Sequence, residues 1–489
     1  MPLIPKCMST QHPDNASPPP FAVDGVIKGE GEIFEALDVF GMGCDEQMWN
    51  SEGKDVDGQV VQKLLSNYPD FFRTERRLGT DCTITLRVPN PAIEIGMRKS
   101  MVEALHSIPS AWDVARSFYG DSMDAPIQEV ILPMTTTGEE VALIAEYYER
   151  FVVGQESQAM SGGRRVKDWI GEFNPKQIRM IPLIEDLEQM LAADTIVRDY
   201  CRGRDLPYQR VFLARSDPAL NYGMVGAELM LQVALQRLDR LSVELGMPMY
   251  PIIGAGSVPF RGHLTPLNLD RAFAEYPSIQ TFTVQSSFKY DYDPDDVRLG
   301  IQQILGHEQA PAKPIDEARP RVIIDKFAAE YQECVRKLVP YITKASATIP
   351  RRRDRKLHVG LFGYGRSLAG SSDVTLPRAI AFAASLYSIG VPPEILGMTA
   401  LDEDDLAFVR EIYPSLDDDL AVATTYANET RVRALLGDAY SDVVLRHGRS
   451  IDRVHEGLTG AIWAGLQRDG HAQVPHYVEE AARLHRFLG

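Results

Sequence analysis

The sequence predicts an α/β fold: a (β/α)8 TIM-type barrel with extensive extra α-helices and a helical C-terminal region. Three observations lead there. Eight short apolar runs recur between Lys6 and Arg366, most of them ending in Gly, Pro, Ser or polar residues. Helical patterns with apolar residues at three- and four-residue spacing fall between them. Polar and charged residues cluster directly after the runs, as they do where strand C-termini build a pocket on one face of a barrel. A doubly wound sheet would also place polar groups at strand ends and stands as the alternative.

In order, the runs are Cys7 to Thr10, Cys82 to Val88, Gln128 to Leu132, Arg179 to Ile184, Arg210 to Ala214, Met249 to Ile253, Gln280 to Val284 and His358 to Phe362. Helical patterns cover Glu139 to Val153, Leu187 to Tyr200, Ala227 to Leu245 and Asp325 to Tyr341. Beyond Arg378 the chain reads as helix over Ala379 to Ile389, Asp402 to Tyr413, Asp417 to Leu436 and Ile451 onward, with Pro392-Pro393 as a break. No linker or repeat divides it. One domain is expected over 1–489, with barrel strands within about 5–366 and the helical region over about 379–489.

Charge and cysteine usage narrow the partners. Lys and Arg number 51 against 68 Asp and Glu, so 51 − 68 = −17, which argues against nucleic acid or an anionic membrane as a partner. An anionic ligand therefore needs a local basic cluster. The five cysteines are widely spaced and lack a C-x-x-C pair, a pattern that suits a reducing cytoplasm. Met1-Pro2-Leu3-Ile4-Pro5-Lys6 lacks a signal-peptide apolar region, and no window resembles a membrane span, so a cytoplasmic protein is expected.

The residues after the runs carry the chemistry. Gly254-Ala255-Gly256-Ser257 empties into Val258-Pro259-Phe260-Arg261-Gly262 and reads either as an anion cradle or as a glycine turn with a surface arginine. Gly254, Gly256 and Ser257 would supply the cradle, and Arg261 a planar fork for phosphate or carboxylate. Glu185 and Asp217 follow adjacent runs. They suit Mg2+ or Mn2+ as a carboxylate pair, or helix capping if taken singly. Arg87, Arg366 and Arg378 join Arg261 in pointing to a small substrate with several negative charges. His12, locked beside Pro13, is placed for proton transfer or for a structural role. Arg351-Arg352-Arg353-Asp354-Arg355-Lys356 reads as a solvated block, with an effector or interface role as the alternative. Ser161-Gly162-Gly163-Arg164-Arg165 is glycine-rich enough for a lid.

Together, Ser9-Thr10-Gln11-His12-Pro13-Asp14-Asn15, Leu86-Arg87-Val88-Pro89-Asn90-Pro91, Leu213-Ala214-Arg215-Ser216-Asp217, Gly254 to Gly262 and Gln285-Ser286-Ser287-Phe288-Lys289-Tyr290-Asp291 resemble archaeal-type, short-form phosphoenolpyruvate carboxylase. The resemblance implies a Mg2+-dependent enzyme, usually a homotetramer, that adds bicarbonate to phosphoenolpyruvate through carboxyphosphate and an enolate. The products are oxaloacetate and phosphate, the role is anaplerotic, and allosteric feedback by an acidic metabolite is a property of the family. It also implies that His12 and Arg261 are catalytic, that Glu185 and Asp217 bind metal, and that Arg87, Arg366 and Arg378 bind substrate. Ile253 and Ala255 stand where the long form of the family has histidine and arginine in H-G-R-G-G, so a second catalytic histidine is absent there; the alternatives are that His263 replaces it, that a group from another loop does, or that His12 works alone. The lysine after the long form's S-D is also missing, and Asn221 stands nearest. The alternatives are another metal-dependent enolate-handling barrel, such as a phosphoenolpyruvate mutase or citrate-lyase-like enzyme, and a non-catalytic anion-sensing scaffold.

Overall fold

The computed structural model describes residues 3–51, 58–354, 375–448, 450–468 and 472–489. Eight strands close into a barrel in sequence order, each parallel to its neighbours. They are β1 (Cys7–Ser9), β2 (Glu46–Asn50), β3 (Thr83–Arg87), β4 (Ile127–Leu132), β5 (Arg179–Ile184), β6 (Gln209–Ala214), β7 (Met249–Gly254) and β8 (Thr281–Val284). Closure sets Cys7 beside Phe282 and Ser9 beside Val284.

One strand differs from the expected set. Glu46–Asn50 supplies β2, and the eight described strands close the barrel, while the run His358 to Phe362 lies outside the described residues. The strands therefore fall between Cys7 and Val284. β2 escapes an apolar search because its first residue is charged and fully buried inside the fold. Arg210 Nη1 and Nη2 donate to Glu46 at 2.8 and 2.7 Å, and Arg210 Nη1 also donates to Glu129 at 2.6 Å. Burial works against the Arg210 charge, but the two carboxylates outweigh it and raise its pKa. This ionic layer lies towards the strand starts. Next to it Met8, Met48, Ile131, Ile181, Phe212 and Ile252 form a distinct apolar cluster.

Helices wrap the barrel and extend beyond it. The helix Ser216–Leu245 follows β6 and packs along the helix Ala318–Ser346. Several of the expected long helices are divided, two of them as follows. Leu187 to Tyr200 becomes Leu187–Leu191 and Ala193–Cys201, and Asp417 to Leu436 becomes Leu416–Thr425 and Glu429–Leu436. In the second case Asn428 accepts from the Arg431 N–H at 3.0 Å, so a side-chain cap overrides the continuing apolar period. No single helix among the described residues is long and apolar enough to cross a membrane.

The helical C-terminal region returns to the barrel mouth. After the helix Val474–His485, the Leu488 N–H donates to the Asp14 carbonyl at 2.6 Å. Arg352, which follows the helix Ala318–Ser346, donates to the carbonyls of Asn15 and Ala16 at 3.1 and 2.5 Å. Segments distant in sequence thereby fasten the loop that follows β1.

Candidate active site

A cavity of about 910 Å³ lies over the C-terminal ends of the strands. The barrel contributes His12 beyond β1, Asn50 of β2, Arg87 of β3, Thr135 beyond β4, Glu185 beyond β5, Asp217 beyond β6 and Arg261 beyond β7. Much of the remaining wall comes from residues 349–353 and 378–381 and from Leu488. Parallel register explains the convergence. Ile184 stands beside Leu213, so the chain leaves β5 at Glu185 next to where it leaves β6 for Ser216 and Asp217.

Arg261 is the most constrained of these side chains. It is 1% exposed. Its Nε donates to Ser216 Oγ at 3.0 Å, Nη1 to Asp14 Oδ2 at 3.1 Å and to the Gly489 carbonyl at 2.6 Å, and Nη2 to Gln285 Oε1 at 2.5 Å. Burial raises the Asp14 pKa and lowers that of Arg261, and their attraction offsets only part of each shift. Arg261 thus ties together the ends of β1, β6, β7 and β8.

The glycines before it do something other than expected. The Gly256 N–H donates to the Arg261 carbonyl at 2.9 Å and the Leu264 N–H donates to the Gly256 carbonyl at 2.9 Å, so the turn folds on itself and its Gly256 amide is not turned to an anion. A Cβ on Gly256 would come within 2.8 Å of Arg261 Nη1, and one on Gly254 within 2.8 Å of the Phe212 ring. These two glycines make room for neighbouring side chains. Ser257 is buried, and Gly254, Gly256 and Ser257 are not among the cavity-lining residues.

His12 lines the cavity with Nδ1 at 2.8 Å from Thr10 Oγ1. Its carbonyl accepts from the N–H groups of Asp14 at 3.1 Å and Ser286 at 3.3 Å, so ring and backbone are both held. Arg87 Nη2 lies 3.9 Å from Glu185 Oε1, with both side chains largely shielded. Arg378 is the residue from which the helix Ala379–Ser388 starts and also lines the cavity. Arg366 lies outside the described residues.

His263 is directed elsewhere. It is buried and does not line the cavity. Its Nδ1 sits 2.6 Å from Asp419 Oδ2, and Arg271 Nη2 donates to Asp419 Oδ1 at 2.8 Å. Burial opposes its charge, but Asp419 and Glu275 bring its pKa up to about 8. It therefore stands as a cation that bonds the turn after Arg261 to the C-terminal helices. The glycine-rich stretch Ser161–Gly163 is also remote. It lies on the path from the helix Gly138–Tyr147 back to the start of β5, is exposed, and lines no part of the cavity.

Three contributors were not singled out from the sequence. Asn50 belongs to the strand hidden by its polarity. Asp14 and Gln285 fall within motifs already noted, but only the fold shows that both hold Arg261. The basic block proves to be part of the cavity wall at Arg351, Arg352 and Arg353.

Fold and site together define a barrel enzyme whose strand-end face gathers arginines, a histidine and acidic residues around one cavity. Residues 4–489 match the model of the phosphoenolpyruvate carboxylase family. The chain is 51% identical to the phosphoenolpyruvate carboxylase of Methanospirillum hungatei, over 99% of this chain and 100% of that one. It is 47% identical to those of Halobacterium salinarum, over 99% of each chain, and Methanothermobacter thermautotrophicus, over 99% of this chain and 100% of that one. The chain belongs to the phosphoenolpyruvate carboxylase family.

Proposed function

We propose that this cavity carboxylates phosphoenolpyruvate. A bicarbonate oxygen attacks the phosphoryl group, the bond from phosphorus to the enol oxygen breaks, and carboxyphosphate and the enolate of pyruvate form. Carboxyphosphate splits to CO2 and phosphate, and the enolate carbon attacks CO2 to give oxaloacetate. The observation that carries the reading is the meeting of Glu185 and Asp217 with Arg87, Arg261, Arg378 and His12 in one cavity.

Two carboxylates at neighbouring strand ends fit a divalent ion. Among the described residues no group of three His, Cys, Asp or Glu side chains is placed to hold a metal by itself. The pair therefore suits Mg2+, or Mn2+, which binds through one or two carboxylates and completes its shell with water and substrate oxygens. When bound there, the ion supplies positive charge to the phosphoryl and enolate oxygens.

The chain's own residues divide the remaining work. Arg87 and Arg378 bind the anionic ends of the substrate. Arg261, with four of its five N–H groups committed, holds the loops in register and lends its charge to the departing phosphoryl oxygens. His12, oriented by Thr10, carries the proton during breakdown of carboxyphosphate. Ile349, Ile380 and Leu488 in the wall limit water near the enolate, whose protonation would yield pyruvate. The reading includes a cytoplasmic homotetramer, and sedimentation velocity checks the assembly. The reaction itself is tested by following oxaloacetate and phosphate release from phosphoenolpyruvate with Mg2+, with and without bicarbonate. Both products should appear together and only with bicarbonate, and turnover independent of bicarbonate would refute the reading.

A further inference from the structure

The arginines of the cavity wall differ in how their charges are spent. Arg87 lies near Glu185, and Arg261 is bonded to Asp14. Arg352 Nη2 donates to Glu479 at 3.0 Å, and Arg353 Nη2 to Glu35 at 2.5 Å. Each of these guanidiniums has an acidic neighbour within the protein. Arg351 lines the same cavity, is exposed, and has no ion-pair or hydrogen-bond partner among the described residues.

The backbone carrying Arg351 is held firmly. The Ile27 N–H donates to the Arg352 carbonyl at 2.9 Å and the Asp354 N–H to the Ile27 carbonyl at 3.1 Å, pairing this segment with the chain that follows the β1 loop. Arg352 and Arg353 are both 4% exposed, so two consecutive arginines are turned inward as anchors. Burying a guanidinium is costly unless it is paired, and both are paired. The first member of the triplet is left facing the cavity on a rigid support, with its fork uncommitted among the described residues. A side chain meant only for solvation needs no such mounting, whereas a substrate carrying about three negative charges needs positive charge that no internal carboxylate has already balanced.

We propose that Arg351 is a substrate-binding residue of this cavity and takes an oxyanion of phosphoenolpyruvate. The inference rests on the reaction proposed above, and adds a position that lies in none of the motifs from which the other site residues were read. Its fork suits either the phosphoryl group or the carboxylate, because both present two oxygens in one plane. Inorganic phosphate probes the first and pyruvate the second.

The test uses the full chain and the variants Arg351→Ala and Arg351→Lys. Binding of inorganic phosphate and of pyruvate is measured by calorimetry without turnover, and steady-state kinetics are measured with Mg2+ for each substrate at saturation of the other. Arg351→Ala should weaken one of the two probes by about tenfold or more and raise the KM for phosphoenolpyruvate by a similar factor, as expected for one charged hydrogen bond. The KM for bicarbonate should stay within about twofold, and Arg351→Lys should recover part of the loss, since it keeps the charge but not the fork. Unchanged affinity for both probes, or a shift confined to bicarbonate, would overturn the assignment. If the parent protein failed to carboxylate while Arg351→Ala still lost probe affinity, the reaction would be wrong and the anion site right.

Discussion

Gly256 and Arg261 share the space of a single side chain: a Cβ on Gly256 would stand 2.8 Å from Arg261 Nη1. Arg261 cannot swing aside cheaply, because Ser216, Asp14, Gly489 and Gln285 all accept its hydrogen bonds. Gly256→Ala is therefore expected to displace the guanidinium by a fraction of an ångström or more. Misplacement on the ångström scale can cost on the order of 100-fold in rate. Steady-state kinetics should show a loss in kcat/KM of about tenfold or more, accompanied by a fall in the thermal midpoint from the weakened hydrogen bonds of Arg261; near-normal kinetics would show that Arg261 does not need this seat.

The partner of Arg261 matters for stability as well. Asp14 Oδ1 accepts from the Ser287 N–H at 2.8 Å while Oδ2 faces Arg261, and both side chains are buried. Asp14→Ala leaves a buried cation without its counter-charge, a change that typically costs about 3–5 kcal/mol. Chemical denaturation should show a loss of that order, accompanied by near-complete loss of activity. A variant as stable as the parent would mean that the pair adds nothing.

The proposed metal pair, Glu185 and Asp217, should be separable from the arginines by metal dependence. Glu185→Gln and Asp217→Asn should each raise the divalent-ion concentration needed for half-maximal activity by at least the roughly tenfold seen on losing even an outer partner of a ligand. Stabilisation by Mg2+ or Mn2+ in thermal melts should weaken in parallel, a readout that needs no turnover. Arg87→Lys, which keeps a cation beside Glu185, should leave the ion requirement nearly unchanged and raise the KM for phosphoenolpyruvate.

His263 predicts a pH effect with a definite sign. Its folded-state pKa of about 8 lies above its ordinary value of 6.5, so its contribution to stability is complete below about pH 6.5 and is lost as pH rises through 8. Glu275 acts in the same direction at lower pH, because burial and Glu228 raise it to about 7. The His263 share is worth about 2 kcal/mol. Denaturation measured from pH 6 to 9 should show parent stability declining across that window, and His263→Gln should be less stable at pH 6 and flatter above it.

Much of this arrangement was legible in the sequence because barrels write their active face into the residues after each strand. His12, Arg87, Glu185, Asp217 and Arg261 all follow or end strands that the apolar runs marked, and all line the cavity. Two kinds of information were hidden. β2 was obscured because its Glu46 is paired with Arg210 inside the fold, and a strand stabilised by ion pairing carries no apolar signature. The inward turn of Arg352 and Arg353 was equally unreadable, since their partners Glu479 and Glu35 lie far away in sequence and only tertiary structure brings them together. The glycine turn was misjudged for a related reason. Local composition shows that backbone can approach something closely, but not whether that something is a ligand or, as at Gly256, the protein's own arginine.

The most direct test of the proposed chemistry is oxygen transfer from bicarbonate labelled with oxygen-18 at all three positions, with Mg2+ and phosphoenolpyruvate, sampled before the label exchanges with water. If carboxyphosphate forms in this cavity, each phosphate released should carry one labelled oxygen and the new carboxyl group of oxaloacetate two. Unlabelled phosphate accompanied by pyruvate would mean that water attacks the phosphoryl group, and would contradict the account.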